Sequence, residues 1–369
     1  MASEAAVATD DRVIPGLYAK TIPSLDGIRA IAVGLVILYH FGFAAVPGDH
    51  GVLIFFVLSG LLITWLLLKE ADRTGGVSLA QFYYRRALRI LPAFYAFLGL
   101  ALALLVVTKR EVVWEQVWAA VLYVANYYNA THPEGTGTRA LNHLWSLAIE
   151  EQFYLLWPLA FRSLRRNGAR LTFALGATIS AIWVYRAGLH LAGMNVRYIY
   201  SAFDTRADHL LIGCMTAVLL HGGVINSFWR RVTARAWMPL VTCVMFAASA
   251  MYGHDHLTYR HVAGYALDPV LAAVGIVQMI ALGSTRLWCW LNARPVVWMG
   301  RISYSLYLYQ QLGVSRFVFP TAPTVVRFPA CIAVTFGLAA ASHYIIERPF
   351  LRLKERAVAR RPALPSVAA

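Results

Sequence analysis

In the stretch RAIAVGLVILYH, an arginine and a histidine, Arg29 and His40, bracket a run that otherwise looks like membrane filling. An ionisable group left in hydrocarbon is costly, so each is a functional candidate by default. Eleven steps of 100° return to within about 20° of the start and rise roughly 16 Å, so a helix carries both on one face at different depths. His40 is the one ring of this run that exchanges a proton near neutral pH. As a neutral imidazole it can take the proton of an attacking hydroxyl and later return it to a leaving group. The competing reading is a packed histidine bonded to a backbone carbonyl. Asp26 does not orient this ring, because fourteen helical residues separate the two by roughly 21 Å.

Other segments add polar groups. HLWSLAIEEQF carries His143, Trp145, Glu150 and Glu151. Adjacent glutamates point about 100° apart on a helix, so at most one shares a cavity with Trp145. A carboxylate in low dielectric can orient His40 or bind acceptor hydroxyls. An ion pair with an intramembrane arginine such as Arg206 is the alternative. FYYRRALRILP supplies Arg85, Arg86 and Arg89, of which the last two are three apart and share a helix face. A guanidinium pair suits phosphate; lipid headgroup anchoring is the alternative. Ser59 in FFVLSG is either a nucleophile or part of a Ser-Gly pair that lets helices pack closely. TRADHLLIG places Arg206, Asp208 and His209 near the outer mouth of a helix. GHDHLTYRH gathers His254, His256 and His261 without the carboxylate spacing of a metal site, and is expected as a solvated loop. Tyr304 and Tyr307 of SYSLYLYQQ either line a cavity or pack, packing being preferred. IERPF reads as a helix stop at the interface. No metal site is expected.

These residues need apolar elements to hold them. The chain has 369 residues, 59% hydrophobic and 14% charged, with mean hydropathy +0.57. Soluble domains carry roughly 25% charged residues. The expected fold class is therefore all-α, a polytopic membrane helical bundle. The net charge of +15 falls in short clusters between apolar runs. That is the positive-inside pattern and not a nucleic-acid footprint. Cys214, Cys243, Cys289 and Cys331 are scattered through apolar runs and read as buried free thiols. The N-terminus lacks the tripartite pattern of a cleaved signal, so the first apolar run is expected to remain as an anchor.

Runs long enough to cross a bilayer fall near 27–46, 51–69, 90–108, 142–162, 171–191, 206–222, 236–253, 263–283, 296–317 and 326–346. The segment 113–128 is short and carries Glu115, Gln116 and Asn126, so it is an eleventh span or an interfacial helix. If it does not cross, all the arginine clusters fall on one side, expected to be the cytoplasm. About ten transmembrane helices with both termini cytoplasmic is the preferred topology. The division expected is an N-terminal cytoplasmic segment (1–23), a membrane domain (24–353) and a basic cytoplasmic tail (354–369).

Taken in order, SLDGIRAIAVGLVILYH, FFVLSG, RRALRILP, HLWSLAIEEQFYLLWP, TRADHLLIG, GRISYSLYL and IERPF resemble the membrane acyltransferase-3 family of O-acyltransferases. The resemblance implies a ten-helix enzyme of the bacterial inner membrane that moves an acyl group, often acetyl, from acyl-CoA to a hydroxyl. Its acceptors would be cell-envelope or exported glycans, or glycosylated metabolites. The family's Arg/Lys-x10-His motif falls on Arg29 and His40, its RxxR on Arg86 and Arg89, and the glutamate of Trp-Ser-Leu-x-x-Glu on Glu150. The chain departs from the pattern at Leu53 and Ile54, where many members have Val-Asp, and at Gln310, where many have histidine. The extra periplasmic hydrolase-like domain of some members is not expected.

The combined expectation places CoA phosphates near Arg85, Arg86, Arg89 and Arg29, and the thioester toward His40. Glu150 is the second catalytic candidate, while Ser59, His143, Trp145, Arg206 and Asp208 are acceptor-side candidates. Acyl-CoA is a co-substrate, no cofactor is bound, and the partners are a carbohydrate or glycosylated acceptor and the lipid bilayer. Oligomeric state is not readable. A proton-coupled transporter or glycan exporter is the alternative, weakened by the lack of inverted repeats and broken helices.

Overall fold

The computed structural model describes residues 14–19, 21–43, 45–133, 135–314 and 324–359. The expectations for residues 1–13 and for the tail RRPALPSVAA lie outside the described residues. Every regular element among the described residues is helical. In chain order the principal helices are α1 (Pro23–His40), α2 (Gly48–Thr74), α3 (Leu79–Val107), α4 (Trp114–Val121), α5 (Ala125–Thr131), α6 (Leu144–Leu164), α7 (Gly168–Leu191), α8 (Val196–Ser201), α9 (Phe203–His221), α10 (Met238–Asp255), α11 (Tyr265–Leu282), α12 (Arg294–Arg301), α13 (Ser303–Val314), α14 (Thr324–Ala341) and α15 (Arg348–Ala359).

Four helical stretches among these residues are long and apolar enough to cross a membrane: Gly48–Thr74, Leu79–Val107, Leu257–Leu282 and Phe328–Leu353. A fifth is a pair bent by 106°, Val196–His221 with Asn226–Val232. Two expectations need correction. The run 296–317 is not one helix: α12 ends at Arg301, and α13 begins at Ser303. The segment 113–128 is likewise two short helices, α4 of 8 residues and α5 of 7. They are broken at Tyr123, whose φ is +55°. The break exposes the Tyr123 carbonyl, and Gln152 donates to it at 2.8 Å. The same amide pairs with Asn126, while Gln116 pairs with Asn142 and the Thr138 backbone. The polar residues that made this segment a doubtful span therefore pin its bend against the start of α6.

The helices divide into two compact units, residues 1–77 with 113–303, and residues 78–112 with 304–369. In the first unit, side-chain pairings give each helix its direction. Ser59 meets Glu150 and Thr64 meets Trp157, so α2 and α6 run parallel. Phe56 lies by His209 and Asp72 by His221, so α9 also runs with α2. Gly48 packs on Tyr39 and Gly51 on Ala32 and Val36, so α1 runs against them. Ser249 bonds Asp268 and Gly275 faces Thr242, so α10 opposes α11. One end of this unit thus collects the start of α1 with Arg73, Arg162–Arg170 and Arg230–Arg235. The other collects His40 and the starts of α2, α6, α9 and α11.

α2 and α9 cross at close backbone contact. A Cβ on Gly60 would run into the backbone of Leu210, and one on Gly213 into the carbonyl of Val57 and the amide of Leu61. Small residues let backbones approach this closely. Cys214 and Cys331 are buried as expected, whereas Cys243 and Cys289 are exposed. In the second unit, Tyr304 donates to the Ile90 carbonyl at 3.0 Å, Phe97 packs edge-on against Tyr309, and Gly313 lies against Thr335.

Gly213→Ala should destabilise the protein by roughly 1–3 kcal/mol through overpacking. Gly188→Ala has nothing within 4 Å of the new methyl and should be neutral or stabilising. Thermal unfolding of both variants in detergent checks this, and equal shifts would contradict the close crossing.

Candidate functional site

α1 begins on Pro23, which is preorganised for a first helical turn, and ends on His40 before Phe41 and Gly42. The His40 ring folds back one turn, with Nδ1 2.8 Å from the Val36 carbonyl. A carbonyl only accepts, so Nδ1 carries the hydrogen. The neutral ring then has its lone pair on Nε2, which has no hydrogen-bond partner among the described residues. The ring is half-buried and packs edge-on to Tyr39 at 5.3 Å. The backbone bond expected of an inert packed histidine is present, and it leaves the other nitrogen as an acceptor.

Arg29 lies three turns earlier on α1, and Asp26 accepts from it at 2.9 Å. Asp26 also faces Arg301 at 3.5 Å, so two guanidinium groups share one carboxylate. The start of α1 is therefore locally cationic. Arg85, Arg86 and Arg89 belong to the second unit, in the first turns of α3. That helix continues through Pro92, so the arginines open the apolar helix itself and form no separate surface segment. The Arg86 guanidinium lies 5.9 Å from the Phe82 ring centre.

Glu150 does not pair with Arg206. It accepts from Ser59 Oγ at 2.9 Å, and both residues are partly exposed. His143 is buried in the turn before α6, where its carbonyl receives Ser146. Trp145 is buried between Phe56 and Tyr200, with ring centres 6.3 and 4.7 Å away. No hydrogen bond joins His40 to Glu150, so direct orientation of the ring by this carboxylate is not seen.

Arg206 and Asp208 are corrected. They do not line an open mouth, since both are fully buried in the first turns of α9. Asp208 Oδ2 accepts from Arg186 at 2.8 Å and from Trp183 at 2.9 Å, both on α7. Arg206 stacks on Tyr265, 4.1 Å from the ring centre. Its Nε and Nη1 have no partner among the described residues. His261 is also corrected. It is buried in the helical turn that enters α11, where it meets His190 at 3.1 Å, and does not belong to a solvated loop. IERPF is more than an interface stop: Glu347 is buried, receives Ser305 Oγ, and faces His343 at 3.2 Å, tying α13 to the last helix of its own unit.

A second set of residues was not singled out from the sequence. His50 places Nδ1 2.9 Å from Asp49 and Nε2 3.0 Å from Asp268. Both nitrogens face carboxylate oxygens, which suits a doubly protonated ring, so His50 offers no lone pair for base catalysis. Asp49 also receives Arg260, and Asp268 receives Ser249. With its hydrogen so committed, Ser249 Oγ accepts from Tyr259 at 2.8 Å. The signal available was the Asp-His pair at a helix entry and the lone aspartate of ALDP.

The sequence profile described as an acyltransferase domain matches residues 22–344. The chain belongs to this acyltransferase family. Peptidoglycan O-acetyltransferase OatA of Listeria monocytogenes is 32% identical over 352 residues, 89% of this chain and 56% of the relative. Putative peptidoglycan O-acetyltransferase YrhL of Bacillus subtilis is 31% identical, covering 94% of this chain and 58% of the relative. A putative O-acetyltransferase of Staphylococcus aureus, SACOL0978, is 31% identical, covering 93% and 59%. The chain thus spans 56–59% of the length of these relatives. No solved structure matches.

Asp208→Leu should destabilise the protein by roughly 3–5 kcal/mol, because it strands the Arg186 charge in the interior. Adding Arg186→Met should recover most of that loss. Unfolding midpoints of the single and double variants test the pair, and strictly additive losses would contradict it.

Proposed function

We propose that the chain is an integral membrane O-acyltransferase that moves an acetyl group from acetyl-CoA to a carbohydrate hydroxyl, with His40 as the general base. Family membership and the O-acetyltransferase names of its relatives support the reaction class. One observation carries the residue assignment: the Nδ1 bond to Val36 leaves the His40 Nε2 lone pair unpartnered.

The acceptor hydroxyl gives its proton to Nε2 as its oxygen attacks the thioester carbonyl. The tetrahedral intermediate collapses with loss of the CoA thiolate. That sulfur takes the proton from Nε2, which restores the neutral ring. A base placed this way contributes typically 10²–10⁴-fold. Glu150 and Ser59 offer a partly exposed carboxylate–hydroxyl pair that suits hydrogen bonding to acceptor hydroxyls.

Arg29 of α1 is assigned to the phosphates of the donor, and, taken separately within their own unit, Arg85, Arg86 and Arg89 of α3 are candidates for the same role by their resemblance to the RxxR motif. Guanidinium groups bind phosphate oxygens through paired donors in one plane. The basic end of the first unit is assigned to the cytoplasm, which puts the His40 end outward in a topology of about ten spans with both termini inside. The relatives named for peptidoglycan point to a cell-envelope glycan as acceptor.

His40→Ala should lower acetyl-CoA-dependent release of free CoA by about 10²–10⁴-fold. The assay uses purified protein in detergent with a peptidoglycan-derived glycan, and unfolding temperature reports integrity. A folded variant with full activity would remove His40 from the mechanism. A transporter would leave the thioester intact in the same assay. Arg86→Gln and Arg89→Gln should raise KM for acetyl-CoA with little change in kcat, the signature of lost donor binding. An unchanged KM would return these arginines to a lipid-facing role.

A further inference from the structure

We infer that the His40 end of the first unit holds a buried subsite for an acidic sugar, closed to solvent in this structure, in which Arg206 binds the carboxylate. The inference rests on the reading that this end receives a carbohydrate acceptor, and it specifies the charge that acceptor carries.

The argument starts from an imbalance. Three buried or half-buried cations here have carboxylate partners: Arg186 with Asp208, Arg260 with Asp49, and His50 with Asp268. Arg206 is fully buried and is left over. Asp49 and Asp208 both feel the Arg206 charge, but Asp49 is bonded to His50 and Arg260, and Asp208 accepts from Trp183 and Arg186 through Oδ2 while its Oδ1 has no hydrogen bond among the described residues. Nε and Nη1 of Arg206 find no acceptor among the described residues. Four cations, Arg186, Arg206, Arg260 and a doubly protonated His50, thus face three carboxylates, Asp49, Asp208 and Asp268, and a buried guanidinium with two donors unpartnered in such a surplus is costly. Water can fill its hydrogen bonds but cannot supply the missing negative charge.

The surroundings define the shape of what would. The Arg206 guanidinium lies with its centre 4.1 Å from the Tyr265 ring centre and 5.4 Å from that of Tyr200. Stacking covers the face of a guanidinium and leaves its donors in the plane, the geometry that matches a carboxylate. Tyr200 is partly exposed and lies 4.7 Å from Trp145, which gives an aromatic surface of the kind a sugar ring packs on. His209 donates from Nε2 to the Tyr265 carbonyl at 3.2 Å, so its unpartnered Nδ1 is an acceptor suited to a sugar hydroxyl. An aromatic platform, a planar cation and a lone-pair acceptor together fit a uronic acid or another carboxylated hexose. A neutral hexose would leave Arg206 unmatched.

The test compares p-nitrophenyl β-D-glucuronide with p-nitrophenyl β-D-glucoside, by equilibrium binding to the full chain in detergent without acyl donor. The glucuronide should bind about tenfold tighter or more, as a charge-assisted bidentate contact implies. Arg206→Gln should erase that gap without changing glucoside affinity, and Arg206→Lys should keep part of it. Equal affinities, or no binding of either probe, overturn the inference. So does a folded Arg206→Gln protein that still prefers the acid. Should that variant not fold, the wild-type protein decides alone: its affinity for the glucuronide methyl ester should fall to that of the glucoside. CoA release is scored separately, so failure of acyl transfer and failure of the acidic subsite remain distinguishable.

Discussion

A polar group inside an apolar helical unit has no water to fall back on. Each must find a partner within the fold or carry the cost of being left without one. That constraint organises the first unit. The Arg186–Asp208 pair ties α7 to α9, and His50 bridges Asp49 and Asp268, tying α2 to α11. Gln152 caps the carbonyl exposed at the Tyr123 break. These bonds do structural work because the alternative is a stranded charge or amide. They also rank the candidates. Both ring nitrogens of His50 are committed to such links, so it is a poor choice for base chemistry despite its residue type.

The groups left incomplete are then the informative ones. His40 spends one nitrogen on its own helix and keeps the other open, half-buried at a helix end. Arg206 spends its face on tyrosine rings and keeps part of its edge open. Both lie at one end of the unit, while the end that holds Arg29 is crowded with arginine. The two ends thus differ in charge.

Much of this was legible in the sequence, for physical reasons. Apolar runs of sufficient length marked most helices, because hydrophobic length is a direct property of the chain. The Arg29–His40 spacing was legible because a helix converts an eleven-residue interval into a shared face. Glu115, Gln116 and Asn126 left the 113–128 segment open between a span and an interfacial helix, and the structure breaks it into two short helices. The partners were harder. Asp26 lies too far from His40 to orient it, and its i,i+3 relation to Arg29 is the pairing the structure forms. His50 and Asp268 are 218 residues apart, and nothing local reports such a contact. Arg186 sits inside the run 171–191, which reads as a span, and its partner Asp208 lies on another. His261 was assigned to a loop because its neighbours are polar, whereas the chain there coils into the start of α11. The break at Ile302 falls between Arg301 and Ser303, where neither a proline nor a turn dipeptide marks it.

The most direct measurement is the protonation of one ring. With ¹⁵N-labelled histidine and His40→Gln to assign the signal, magnetic resonance of the protein at neutral pH should show His40 neutral, hydrogen on Nδ1 and lone pair on Nε2. Finding the hydrogen on Nε2, or a ring doubly protonated at that pH, would contradict the account, because His40 would then have no lone pair at Nε2 to offer an incoming hydroxyl.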